Sequence, residues 1–210
     1  MFNRLVCGLG AIVTASLSLT ASATVVVDAA NDLINGFSAA TNPDLDVLST
    51  EVLYNNVTNQ FTLNSTVAGN IGTTATASYV WGINRGAGTA GFGANGFTNI
   101  LFDRVVRLVP GGTSQIAGGG LPAINLPVGA VVFSGATMTA TFDASLLPNN
   151  GFTFANYTYN LWPRVAAPTG FAGIPDFSPD NTNAPVSVIP APSALGIIAA
   201  GGLVVGRRRR

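Results

Sequence analysis

Ala136-Thr137-Met138-Thr139-Ala140-Thr141-Phe142 is the stretch that decides the fold. Apolar and polar side chains alternate strictly through it, the signature of a strand with one face toward a core and the other toward water. A helix would scatter Met138, Ala140 and Phe142 around its circumference, whereas a strand gathers them on one face. The same period returns at Phe61, Leu63 and Val67 against Thr62, Asn64 and Thr66. Between this run and the preceding one, Asn55-Asn56-Val57-Thr58-Asn59 predicts a hairpin with a longer loop.

Working outward, the pattern predicts strands over 24–28, 48–54, 60–67, 75–83, 99–109, 128–133, 136–142 and 157–165. The glycine-rich stretches 85–96 and 110–120, and Pro148-Asn149-Asn150-Gly151, read as turns. Asp143 is expected to cap a single helical turn over 143–147. Many short strands with one-sided apolar faces predict an all-β fold, a two-sheet β-sandwich of jelly-roll or immunoglobulin-like type over residues 24–185. No internal repeat points to a β-helix or propeller.

The two ends read differently. Arg4, the apolar run 5–19 and Ala21-Ser22-Ala23 have the order of a secretory signal peptide over 1–23, cleaved after Ala23 by signal peptidase once the general secretory machinery has engaged it. At the other end, 186–210, a proline motif at 189–193 precedes an uncharged apolar run at 194–206 and the cluster Arg207, Arg208, Arg209 and Arg210. The run is expected to form a short transmembrane helix, and the arginines to hold its end on the cytoplasmic side. Fourteen residues of helix over 193–206 would span only about 21 Å against about 30 Å of hydrocarbon, short for a permanent anchor.

Motif, short apolar run and arginine cluster, in that order, resemble a PEP-CTERM sorting signal. The resemblance implies a bacterial protein handed to an exosortase-like membrane transpeptidase. It implies passage through the inner membrane to the cell envelope, surface or extracellular matrix, and association with exopolysaccharide or biofilm. Its motif residues here are Pro190, Ala191, Pro192 and Ser193; Ala191 stands where the family has glutamate, a departure that bears on which enzyme of the class reads it. In the body, Asn42-Pro43-Asp44-Leu45-Asp46, the hairpin with Tyr54 and Phe61, the strand Tyr79-Val80-Trp81-Gly82-Ile83 and Phe102-Asp103 resemble the opening of DOMON-like carbohydrate-binding sandwiches. That second resemblance implies fold more than ligand.

Composition narrows the chemistry. All nine cationic residues are arginines, His is absent, and Cys7 falls in the expected signal peptide. The body then has no Ser–His or Cys–His nucleophile and no thiolate or His-ligated metal site. Without lysine, Schiff-base and P-loop chemistry are also excluded. The body sets Arg85, Arg104, Arg107 and Arg164 against nine carboxylates, a balance that argues against nucleic acid. Paired carboxylates of glycosidase type are the remaining catalytic option, but no residue is singled out as catalytic and the expected protein is not an enzyme.

Three binding constellations stay open. Asp44 and Asp46, with Asp176 and Asp180, place oxygens at alternate positions of two turns; they read either as turn-forming residues or as ligands of calcium. Tyr79 and Trp81 share a strand face with Ala77 and Ile83 and read as core. Trp162 and Arg164, with Pro163 expected to end the strand between them, read as an exposed glycan contact. Thr137, Thr139 and Thr141 read as a solvated sheet face, with an ice-binding row as the alternative.

Overall fold

The computed structural model describes residues 24–189. The expected signal peptide with Ala21 and Ala23, the motif Pro190–Ser193, the apolar run and Arg207–Arg210 lie outside the described residues. Among the described residues no helix is long and apolar enough to cross a membrane.

The body is all-β and sandwich-like. One antiparallel sheet is built on β1 (Val26–Val27), β2 (Val47–Asn55), β3 (Gln60–Val67), β10 (Val131–Ser134) and β11 (Thr137–Asp143), in the order β1-β2-β3-β11-β10. A last strand, β14 (Ser187–Ile189), joins β2 in parallel. The second sheet runs β13-β12-β4-β7-β8-β9, from β4 (Ser78–Asn84), β7 (Arg104–Leu108), β8 (Gln115–Ala117), β9 (Ile124–Asn125), β12 (Thr158–Arg164) and β13 (Ala184–Pro185). The strands β5 (Thr89–Phe92) and β6 (Phe97–Phe102) form a separate hairpin.

The alternation read in the sequence sets which side chains meet. Met138, Ala140 and Phe142 on β11 lie opposite Ser65, Leu63 and Phe61 on β3. That face meets Tyr79, Trp81, Ile83, Val106, Tyr159 and Leu161 of the second sheet in one buried core. Phe61 and Tyr157 stack with ring centroids 5.8 Å apart. The loop 56–59 joins β2 to β3 as a hairpin, and Asp143 caps the turn Ala144–Leu146 by accepting a hydrogen bond from Ser145 N–H at 2.8 Å.

Three expectations need correction. The stretch 110–120 is not turn alone, because it contains β8, which pairs with β7. The stretch 85–96 is not turn alone, because it contains β5, which folds back on β6. The run 99–109 is not one strand, because it breaks at Asp103, between β6 and β7. Asp103 donates its backbone N–H to Ile83 O, while its carboxylate receives Arg85 Nε at 3.0 Å and Asn150 Nδ2 at 2.8 Å. These bonds turn the chain out of the hairpin and into the second sheet. As a result β4 is buried at every position. Its outer face carries a second apolar cluster, in which Val80 and Trp162 meet Ile100, Ile174 and Phe177.

Candidate functional site

Pairing across the second sheet places arginine beside aromatic rings. Val80 on β4 lies opposite Arg107 on β7 and opposite Trp162 on β12; two residues along, Ser78 lies opposite Arg164. Antiparallel partners share a face, so Ser78, Val80, Arg107, Trp162 and Arg164 all project outward, away from the main core. The hairpin supplies Phe92 and Phe102, whose rings approach Trp162 at centroid distances of 5.0 Å each. Gly82 makes room for the indole, since a Cβ there would come within 2.5 Å of its ring.

These residues line an open cavity of about 460 Å³. Its apolar surface comes from Val80, Phe92, Phe102 and Trp162, and its charge from Arg107 and Arg164. Arg107 Nε donates to Ser78 Oγ at 3.1 Å, and Ser78 Oγ donates in turn to Arg164 O at 3.4 Å. The chain fixes the root of both arginines while neither guanidinium is neutralised, because the ion pair formed among the described residues is Arg85–Asp103. Arg104 differs: it is buried, and its guanidinium donates to the carbonyls of Gly118, Leu121 and Pro122. An aromatic wall with two uncompensated guanidiniums is suited to an anion carried on a partly apolar body, because Arg presents a planar fork to carboxylate or sulfate.

Trp162 is not the exposed platform that the sequence suggested. It is 3 % exposed and buried under Phe92, Phe102 and Phe177. Pro163 does not end the strand: β12 continues to Arg164, with Pro163 opposite Tyr79. On β12 the N–H groups of Leu161 and Val165 point away from β4, to Ser178 O and Gly173 O. Pro163 has the same phase, so its missing N–H removes no bond to β4. Tyr79 and Trp81 are core, each fully buried, as their spacing with Ile83 implied.

The acidic turns are rearranged. Asp44 is separate: its carboxylate accepts from Thr74 N–H and Thr74 Oγ1, and its carbonyl receives Tyr79 OH at 2.8 Å. The 3-10 turn Pro43–Leu45 sends Asp44 and Asp46 to different neighbours. Asp46 and Asp176 come together with Asp32, and Asp180 joins Asp28 and the same Asp32; neither Asp28 nor Asp32 stands out in the sequence. Asp176 does not pair with Arg164; its oxygens accept from Val47 N–H and Phe177 N–H at 2.8 and 2.7 Å. Burial, with Asp28 and Asp32 nearby, pushes the Asp176 carboxyl up to about 8.

The threonine row lies on the face opposite the core. Thr137, Thr139 and Thr141 pair with Thr66, Asn64 and Thr62 of β3, and their hydroxyls are engaged locally, as in Thr139 Oγ1 to Asn64 Oδ1 at 3.0 Å. Arg107, Phe92 and Phe102 were legible only in part. Arg107 sits two residues from Val105 on an alternating strand, but nothing in the sequence says that the hairpin folds over its face.

No family model, curated protein or solved structure matches the chain.

Proposed function

We propose that this is a non-enzymatic, exported bacterial envelope or matrix protein whose β-sandwich holds an acidic polysaccharide in the Arg107–Arg164 cavity. The observation that carries the binding is the meeting of two uncompensated guanidiniums at an aromatic wall. An exposed ion pair contributes little alone, but two arginines fixed at one mouth act together, and saccharide C–H faces suit Phe92 and Phe102. A wholly neutral glycan would leave both charges unused. Asp46 and Asp176 bring carboxylate oxygens within 4.8 Å of each other, closer than the pair of a glycosidase stands, and both are sealed from solvent, so a sugar ring has no way between them. Binding is therefore preferred to turnover.

Export is the other half of the proposal. It rests on the signal-peptide order of 1–23 and on the likeness of 186–210 to a PEP-CTERM signal, with an exosortase-like transpeptidase and signal peptidase as processing partners. In this proposal the sandwich is of jelly-roll or immunoglobulin-like type, preceded by a signal helix and followed by a short membrane helix.

Affinity electrophoresis of the full chain in gels containing polygalacturonate, sulfated dextran or neutral dextran tests the cavity. Retardation is expected in the acidic gels only, weakening as salt rises. Arg107→Gln with Arg164→Gln should abolish it while leaving the melting temperature within a few degrees. Equal retardation by neutral dextran, or none by any of the three, would reject the acidic-glycan reading.

A further inference from the structure

Five carboxylates converge away from the arginine cavity. Asp28, Asp32 and Asp180 each offer an oxygen within 4.8 Å of the others, and so do Asp32, Asp46 and Asp176; Asp32 belongs to both groups. Asp46 and Asp176 are buried. Carboxylates of one sign at this separation repel one another, and burial makes the repulsion more costly. The chain provides no lysine or histidine to offset it, and the ion pair among the described residues, Arg85–Asp103, involves none of the five.

Backbone donors orient the group without neutralising it. Asn31 N–H reaches both oxygens of Asp46 at 3.2 and 3.0 Å, and Ala29 N–H reaches Asp28 at 3.2 Å. One oxygen of Asp28 and one of Asp32 remain shut away from solvent with no donor at all. An independent observation comes from a residue that carries no charge. Ser178 is completely buried, and its Oγ has no hydrogen-bond partner. Its hydroxyl lies beside the Asp28 carboxylate. A buried hydroxyl without a partner is costly, and this one sits among the carboxylate-bearing residues, between Asp176 and Asp180 in the chain.

We propose that Asp28, Asp32, Asp46, Asp176 and Asp180, with Ser178 Oγ, form a calcium site. The donors are all hard oxygens, and calcium takes six to eight of them in flexible geometry, whereas magnesium demands a tighter octahedron and keeps its waters. The ligands come from three separated segments, 28–32, 46 and 176–180. The ion therefore ties the start of the body to the head of β2 and to the loop that faces β12 through the Leu161–Ser178 bridge. The proposal is independent of the glycan cavity, and each can fail without the other.

The full chain is stripped with EGTA and melted in EGTA, in millimolar CaCl2 and in millimolar MgCl2. Calcium at about a hundred times its Kd should raise the melting temperature by roughly 5–10 °C, and magnesium by much less. Asp32→Asn removes the carboxylate common to both groups and should abolish the calcium-dependent rise. Asp180→Asn, an exposed position with little bearing on folding, should weaken calcium affinity about tenfold by calorimetric titration. Melting curves that coincide in calcium and in EGTA would overturn the proposal. So would an undiminished rise in Asp32→Asn, or unchanged calcium affinity in Asp180→Asn.

Discussion

At the scale of single residues, one missing atom and two misplaced protons have measurable consequences. Gly82 lets the Trp162 indole lie against β4; a methyl group there would sit 2.5 Å from the ring. Gly82→Ala should therefore destabilise the protein by about 1–3 kcal/mol, the usual cost of overpacking, and red-shift tryptophan emission as the indole is displaced. Phe61, 1 % exposed and in aromatic contact with Phe142 and Tyr157, should cost about 3–5 kcal/mol on truncation to alanine in a urea titration. The protons belong to Asp176 and Asp28, raised from 3.8 to about 8 and about 6, in both cases chiefly by burial. Each binds a proton more tightly folded than unfolded. In the metal-free protein their contribution is thus complete below pH 4 and lost as pH climbs through 6 and then 8. Each group adds a slope of at most about 1.4 kcal/mol per pH unit. Melting in EGTA between pH 5 and 9 should show a falling midpoint; a rise across that interval would contradict the assignment. Of these residues, Phe61 was legible in the sequence because alternation alone puts it inward. Gly82 and Asp28 were not, since their roles depend on neighbours 80 and about 150 positions away.

At the scale of elements, sequence period and observed strands agree wherever one face is core and the other solvent, as in β3 and β11, whose burial alternates residue by residue. Agreement fails where both faces are covered. β4 is buried throughout and β12 nearly so, and a period of two cannot say what covers the outer face. The cover is the β5–β6 hairpin, which the glycines of 85–96 disguised as loop: Gly91 lies against the Phe102 ring, where any Cβ would collide. Pro163 misled in the same way, because a proline inside a strand reads as a terminator unless the partner of its N–H side is known. The structure makes that side a segment bonded at 161 and 165 but not at 163. Pro163→Ala should then leave the register of β12 intact and change stability by less than about 1 kcal/mol. Hydrogen exchange that loosened Tyr79 to Trp81 in this variant would show that the proline holds the strand pair after all.

At the scale of the whole molecule, the chain divides by charge. Five of its nine arginines, Arg4 and Arg207–Arg210, fall in the two ends, which leaves the body with four against nine carboxylates. An acidic body with cationic ends suits translocation, because positive charge flanking an apolar run resists crossing while the carboxylates between do not. The export proposal thus predicts a stage held at both ends, then by the tail alone after cleavage behind Ala23. Processing near Pro190–Ser193 would finally release the body from the inner membrane. The body's core is built between Val47 and Val186, so replacing Arg207–Arg210 with serine should leave the melting temperature unchanged while impairing retention and sorting. Mass spectrometry of the protein from its native host separates the two fates of the tail. A mature chain that begins at Thr24 and ends at or before Ser193 supports sorting by a transpeptidase. A dominant membrane-bound species that retains Arg210 would reject it and leave a short-anchored envelope protein, with the glycan cavity and the calcium cluster unaffected by that outcome.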